Sequence, residues 1–184
     1  MTLSSTTPRG SALGAVVLAR PWLSVALFIA AAGTGAILGA YFFEFVVGLS
    51  PCPLCLQQRT PYYAVIPAAL VVAALAWKRA PAPVIRLGLL ILAGLMIWGA
   101  GLGVYHAGAE WGFWQGPTTC AQPVAIARNP GDLLRQIQTA KPLADCTVAA
   151  WRFLGVSLAG WNVVIATVLA AVALVAASRP RETA

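Results

Sequence analysis

Four long runs of apolar positions organise the chain, and one long polar stretch interrupts them. Trp22 to Phe43 holds 22 positions without a charged side chain, which matches the roughly 20 residues an α-helix needs to cross a bilayer. A second run extends from about Leu56 to Trp77 and contains Pro61 and Pro67, residues that transmembrane helices tolerate at kinks or opened backbone. The third, Leu87 to Tyr105, is glycine-rich near its end, at Gly99, Gly101 and Gly103. The fourth runs from about Phe153 to Ala177. The pattern predicts an all-α integral membrane protein, a single four-transmembrane-helix bundle over residues 1–184.

The connections differ in character. Met1 to Ala19 reads as a tail that carries Arg9. A cleaved signal peptide is the alternative for this end, but signal cores are only about 7–15 residues long, so the first run is expected to stay as a span. Glu44 to Pro51 is a short link, and Lys78-Arg79-Ala80-Pro81-Ala82-Pro83 is a tight basic turn. Residues 106–152 form the one long loop. It opens on Trp111, Phe113 and Trp114, an aromatic cluster of the kind found at membrane interfaces. Within it, residues 132–137 read as a short amphipathic helix lying along the membrane surface.

Composition agrees with this reading. Hydrophobic residues make up 60% of the chain and charged residues 9%, against about 25% charged in a soluble domain. The net charge of +7 therefore reports orientation. No basic run has the length or aromatic interleaving of a nucleic-acid surface. Arg9, Arg20, Lys78, Arg79, Arg86, Arg179 and Arg181 lie in the two tails and the 78–86 turn, with Glu182 as the one acid there. The positive-inside rule puts those segments in the cytoplasm. All four cysteines then face the opposite, oxidising compartment, where disulfides persist.

The chemistry centres on Ser50-Pro51-Cys52-Pro53-Leu54-Cys55-Leu56-Gln57-Gln58-Arg59. Cys52 is placed as an N-cap and Pro53 at the first helical position, where its missing N–H costs nothing. Cys55 then falls in the first turn, where free amides and the helix dipole favour a thiolate. Arg59 is one turn further on, and its guanidinium is expected to lean back toward Cys55. Other readings of these residues are an inert structural disulfide, half of a zinc site, and an arginine that merely snorkels to headgroups. Cys120 and Cys146 lie in the long loop, 26 positions apart. Four cysteines permit three pairings, and sequence proximity favours Cys52–Cys55 with Cys120–Cys146. A four-cysteine zinc site would call for a second close pair, and no metal is expected.

Taken together, these features resemble the bacterial disulfide-bond-formation protein B (DsbB) family. The likeness covers nearly the whole chain: four spans with both ends cytoplasmic, Cys-x-x-Cys opening the second, an arginine four residues after its second cysteine, and two separated cysteines before the fourth. The DsbA–DsbB–quinone system keeps the bacterial periplasm oxidising. The resemblance implies an inner-membrane, quinone-dependent oxidase of a periplasmic DsbA-like thioredoxin-fold partner. The implied quinone is ubiquinone first, with menaquinone as the alternative. It gives catalytic roles to Cys52, Cys55, Cys120 and Cys146, with Cys55 beside the quinone and Cys120 forming the mixed disulfide. Arg59 and His106 are the implied quinone-binding residues. Gln58 stands where some relatives carry an acid, and Glu110 and Trp111 acquire no role. A transmembrane scaffold with two structural disulfides is the non-catalytic alternative, and a carrier exporting reducing equivalents would need thiols on the cytoplasmic side.

Topology is directly testable. Labels at Lys78 and at the C-terminus are expected on the cytoplasmic side, and labels between residues 115 and 145 on the other. A reporter fusion at residue 130 that reads cytoplasmic contradicts the charge argument and removes the oxidising environment from the cysteines.

Overall fold

A computed structural model of the chain describes residues 20–117, 129 and 145–179. Helix α1, Pro21–Tyr41, starts on a proline and runs into a π-helical turn, Phe42–Val46. Helix α2, Pro53–Trp77, is capped by Cys52, whose sulfur accepts the backbone N–H of Cys55 at 3.2 Å. Helix α3 is Ala82–Glu110 and helix α4 is Leu158–Ser178. All four helices are long and apolar enough to cross a membrane, and the chain is an all-α, multi-pass membrane protein.

Two boundaries differ from the sequence reading. Helix α3 continues five residues past Tyr105, so His106 and Glu110 belong to a helix and not to the loop. Nothing in His106-Ala-Gly-Ala-Glu110 breaks a helix. The stop comes at Gly112, where φ is +77°, the left-handed conformation that glycine adopts without a Cβ penalty. There Phe113 N–H donates to Gly108 O at 2.9 Å and Gly112 N–H to Ala109 O at 3.1 Å, which satisfies the last carbonyls. At about 1.5 Å per residue, the 29 residues of α3 outrun a hydrocarbon core of about 30 Å, so one end stands clear of it.

Helix α4 begins later than expected, because residues 152–157 form a hairpin. Strand β1, Arg152–Phe153, pairs antiparallel with β2, Val156–Ser157, across Leu154 and Gly155, both at positive φ. Two such residues in a two-residue loop match the twist of the flanking strands. Ser157 then caps α4 by accepting Gly160 N–H at 3.1 Å. The amphipathic helix expected at 132–137 lies outside the described residues.

The helices run alternately up and down. The closest pairings are α3 with α4 and α2 with both α1 and α3. Ile29, Val65, Leu89, Leu92, Met96 and Leu169 fill the interior. Helix α4 turns a small face inward through Ala166, Ala170, Ala173 and Ala177, which lets a neighbouring backbone approach where lipid supplies no hydrophobic drive. Gly103 does the same for α3, since a Cβ there would sit 2.8 Å from Val163 Cγ2. Leu38, Leu70, Val71, Leu90, Ile91, Val164 and Val168 stay exposed as an apolar belt. At one end, Arg20 Nη1 donates to Trp77 O and Arg86 Nη2 to Arg179 O, each at 3.1 Å, and so cations tie the helix C-termini. The sulfurs gather at the other end.

Gly103→Leu is expected to force α3 and α4 apart and to destabilise the bundle by about 1–3 kcal/mol. A lowered unfolding midpoint in mild detergent checks this, and an unchanged midpoint contradicts the close approach.

Candidate redox site

The site is assembled where α2 begins and α3 ends. Pro53 fixes the first helical residue, so Cys52 sits at the cap and Cys55 one turn in. Their Sγ atoms lie 2.8 Å apart as free thiols. Cys52 is only 3% exposed, while Cys55 is partly open. The Cys55 thiol beside Cys52 holds the Cys52 pKa below the ordinary thiol range, with the His106 ring and the Cys55 amide acting the same way and burial opposing them.

His106 arrives from α3. Its Nε2 lies 3.6 Å from Cys52 Sγ and 3.7 Å from Glu110 Oε1. Its Nδ1 lies 2.6 Å from Gln58 Nε2. Gln58 Oε1 accepts from Asn162 Nδ2 at 2.7 Å, and Asn162 Oδ1 accepts from Tyr62 O–H at 2.7 Å. Gln58 and His106 are both buried, so a polar chain joins α2, α3 and α4 beside the sulfurs.

Cys146 is disulfide-bonded and fully buried. Its sulfur, the Cys52 sulfur and a ring nitrogen of His106 lie within 4.8 Å of one another. This trio has the spacing of a metal site, but zinc binds thiolates and the Cys146 sulfur is already covalently engaged. The same proximity does suit thiol–disulfide exchange, in which one sulfur attacks a neighbouring disulfide sulfur.

Arg59 departs from expectation. Its Nη1 donates to Glu44 Oε2 at 2.5 Å, and its guanidinium lies 5.2 Å over the Tyr41 ring. The partner is thus an acid on the π-helical turn, which swings Glu44 over α2. Tyr41 and Tyr63 share a hydrogen bond of 2.9 Å nearby, and Phe42, Phe45 and Leu56 are exposed alongside. His106, expected to bind quinone, lies one residue past the predicted span, on α3, with its Nε2 3.6 Å from Cys52 Sγ. Cys120 lies outside the described residues.

Asn162 and Glu44 were missed by sequence reasoning. The available signal for Asn162 was a lone amide one turn into an apolar span, a position where polar groups are costly and tend to be functional. Glu44 was visible only as a loop acid. The Glu110 side chain is 5% exposed, with Oε2 lacking a hydrogen-bond partner among the described residues, and the residue borders an open hollow of about 620 Å³ with Trp111, Trp114 and Thr147.

A pair of free thiols, Cys52 buried and Cys55 partly open, next to a disulfide on a four-helix membrane scaffold defines a membrane thiol–disulfide protein. The family model described as Disulfide bond formation protein DsbB matches residues 22–176, and the chain belongs to that family. A protein from Marinobacter nauticus named Disulfide bond formation protein B is 32% identical over 80% of this chain and 86% of its own length. One of the same name from a Polaromonas species is 34% identical over 75% and 80%, and one from Xanthomonas oryzae pv. oryzae is 31% identical over 84% and 88%. No solved structure matches the chain significantly.

The depressed pKa of Cys52 has a pH signature. With the other thiols reduced, alkylation of Cys52 is expected to stay nearly flat from pH 8 to pH 6. An ordinary thiol, with a pKa near 8.5, would slow about tenfold per unit. His106→Phe removes one hydrogen bond to the sulfur and is expected to bring part of that slope back. A full tenfold loss per unit in the unaltered protein contradicts the assignment.

Proposed function

We propose that this protein reoxidises a periplasmic DsbA-like thiol oxidase and passes the electrons to membrane quinone. The observation that carries the reading is the approach of Cys146 to Cys52 within 4.8 Å, since it joins a loop disulfide to the Cys-x-x-Cys pair. In this reading the disulfide partner of Cys146 is Cys120. A partner thiolate attacks Cys120 and expels Cys146 as thiolate. Cys146 attacks Cys52 of an oxidised Cys52–Cys55 pair and expels Cys55. The second partner thiol resolves the mixed disulfide and frees Cys120, which attacks Cys146 and releases Cys52. Closure of Cys52–Cys55 then gives up two electrons.

Arg59, Tyr41 and Tyr63 are the residues that would hold a quinone headgroup. A cation and two hydroxyls beside exposed Phe42, Phe45 and Leu56 suit a ring with carbonyl oxygens and apolar edges. A bound quinone supplies a two-electron, two-proton acceptor. The need for one follows from potentials: a DsbA-like partner sits near about −120 mV, and each roughly 30 mV uphill costs about 1.4 kcal/mol, so a glutathione-like pool is inadequate. Glu44 balances the Arg59 charge while it is buried, and this chain orients the guanidinium through that pair. The positive-inside bias supports an inner-membrane location with the cysteines periplasmic and both termini cytoplasmic.

The test is anaerobic mixing of the purified protein, quinone and a reduced thioredoxin-like partner, followed by quinone absorbance. Stoichiometric loss of quinone with partner oxidation is expected, and its absence leaves only a scaffold with structural disulfides. Cys146→Ala is expected to trap a mixed disulfide through Cys120, whereas Cys120→Ala abolishes capture. The reverse pattern exchanges the two roles.

Arg59→Ala is expected to raise the apparent KM for quinone about tenfold or more, with partner exchange at Cys120 intact. Arg59→Lys keeps the charge, loses the planar fork and falls between. Quinone kinetics per folded molecule that do not change in Arg59→Ala remove this residue from the site.

A further inference from the structure

The polar chain beside the sulfurs has a direction, and the direction is fixed at its far end. The Gly99 carbonyl can only accept a hydrogen bond. It faces Asn162 at 3.4 Å, so the atom presented there is the amide nitrogen. Asn162 therefore turns its oxygen to the Tyr62 hydroxyl, which donates to it. The same NH₂ group donates to Gln58, which must offer its oxygen. Gln58 is left with its NH₂ toward His106, 2.6 Å from Nδ1. An amide NH₂ only donates, so Nδ1 is the acceptor and the ring proton resides on Nε2. That nitrogen lies between Cys52 Sγ at 3.6 Å and Glu110 Oε1 at 3.7 Å.

We propose that Gly99, Asn162, Tyr62 and Gln58 act as a tautomer lock that keeps His106 protonated at Nε2, so that it serves as a hydrogen-bond donor to the sulfur of Cys52. The lock is a property of the fold. Its consequence for thiol chemistry rests on the reading of Cys52 as an exchanging sulfur. When the Cys52–Cys146 bond breaks, Cys52 takes the electron pair, and the N–H of His106 donates to the resulting thiolate. The proton stays on nitrogen. His106 touches the reacting sulfur and is catalytic in that sense, whereas Gln58, Asn162 and Tyr62 are positioning residues. The titratable groups facing the ring are Cys52 from the start of α2 and Glu110 from α3, and the disulfide-bonded sulfur of Cys146 lies on the loop side. From α4 the facing group is the neutral amide of Asn162. Arg59 is engaged by Glu44.

Position 58 is the switch. A glutamine donates to Nδ1 and puts the proton on Nε2. A carboxylate there can only accept, which requires the proton on Nδ1 and turns a lone pair toward Cys52. The same reversal can be produced one step further away. Asn162→Asp removes the donor that fixes Gln58. The Gln58 amide then turns its NH₂ to the new carboxylate and its oxygen to His106, which must donate from Nδ1.

The chain contains one histidine, so its tautomer can be read without ambiguity. The full-length protein, labelled with ¹⁵N-histidine and held in lipid nanodiscs without quinone or partner, is expected to show Nε2 protonated and Nδ1 bare. Gln58→Glu and Asn162→Asp are each expected to reverse the pattern. Gln58→Glu is also expected to slow Cys52 alkylation at pH 7 about tenfold, the loss of one hydrogen bond to a charged group. A wild-type spectrum with Nδ1 protonated overturns the proposal, and that measurement stands even where a variant fails to fold. A folded Asn162→Asp protein with an unchanged tautomer also overturns it. An Nε2-protonated histidine in a protein inactive toward quinone supports the lock and removes only the function assigned above.

Discussion

Lipid offers no hydrogen bonds, so a polar side chain at membrane depth must find its partner on a neighbouring helix. This constraint shapes the active end of the protein. Tyr62 and Gln58 on α2, His106 on α3 and Asn162 on α4 each satisfy groups that would otherwise be stranded. Interhelical hydrogen bonds of this kind contribute only about 0.6 kcal/mol on average in membranes. Their larger effect is orientation, because each amide has one donating and one accepting side. A chain of them fixes the relative rotation of three helices, and with it the position of the imidazole against Cys52.

Two electrostatic arrangements flank the Cys-x-x-Cys pair and act on different sides of it. On the buried side, Cys52 meets His106 and Cys146 in a space from which water is excluded, so a hydrogen bond to sulfur is strong there. On the lipid-facing side, Arg59 is held by Glu44 and Tyr41. A lone buried guanidinium would be costly, and the Glu44 carboxylate offsets that cost. The π-helical turn at Phe42–Val46 makes the pair possible, since it carries Glu44 back toward α2. In the proposed cycle, the first arrangement manages sulfur leaving groups and the second faces the electron acceptor. Separating the two tasks lets each side have its own polarity.

Much was legible in the sequence because some interactions are local. The four spans follow from uncharged runs of sufficient length, and the cap at Cys52 and Pro53 follows from the backbone chemistry of a helix start. The proximity of Cys52 and Cys55 follows from a spacing of three. The end of α3 was misjudged because polar residues suggested a loop, whereas a helix can continue into the interface until a residue such as Gly112 lets it stop. The start of α4 was placed too early because a hairpin of apolar residues, Phe153 to Val156, reads like the beginning of a span.

The sequence by itself determined the class of molecule, since hydropathy and span length are sums over neighbouring residues that need no tertiary partner. It also determined the candidate chemistry, because a Cys-x-x-Cys at a helix start brings its two sulfurs together within one turn. Only the tertiary structure decided which groups those residues face. Arg59 meets Glu44, 15 residues earlier, and Cys52 meets His106, 54 residues later, while Asn162 reaches Gln58 across 104 residues. Such pairings depend on the rotation of each helix about its axis. That rotation is set by where small residues such as Gly103 and Ala166 let backbones close, and no local pattern records it.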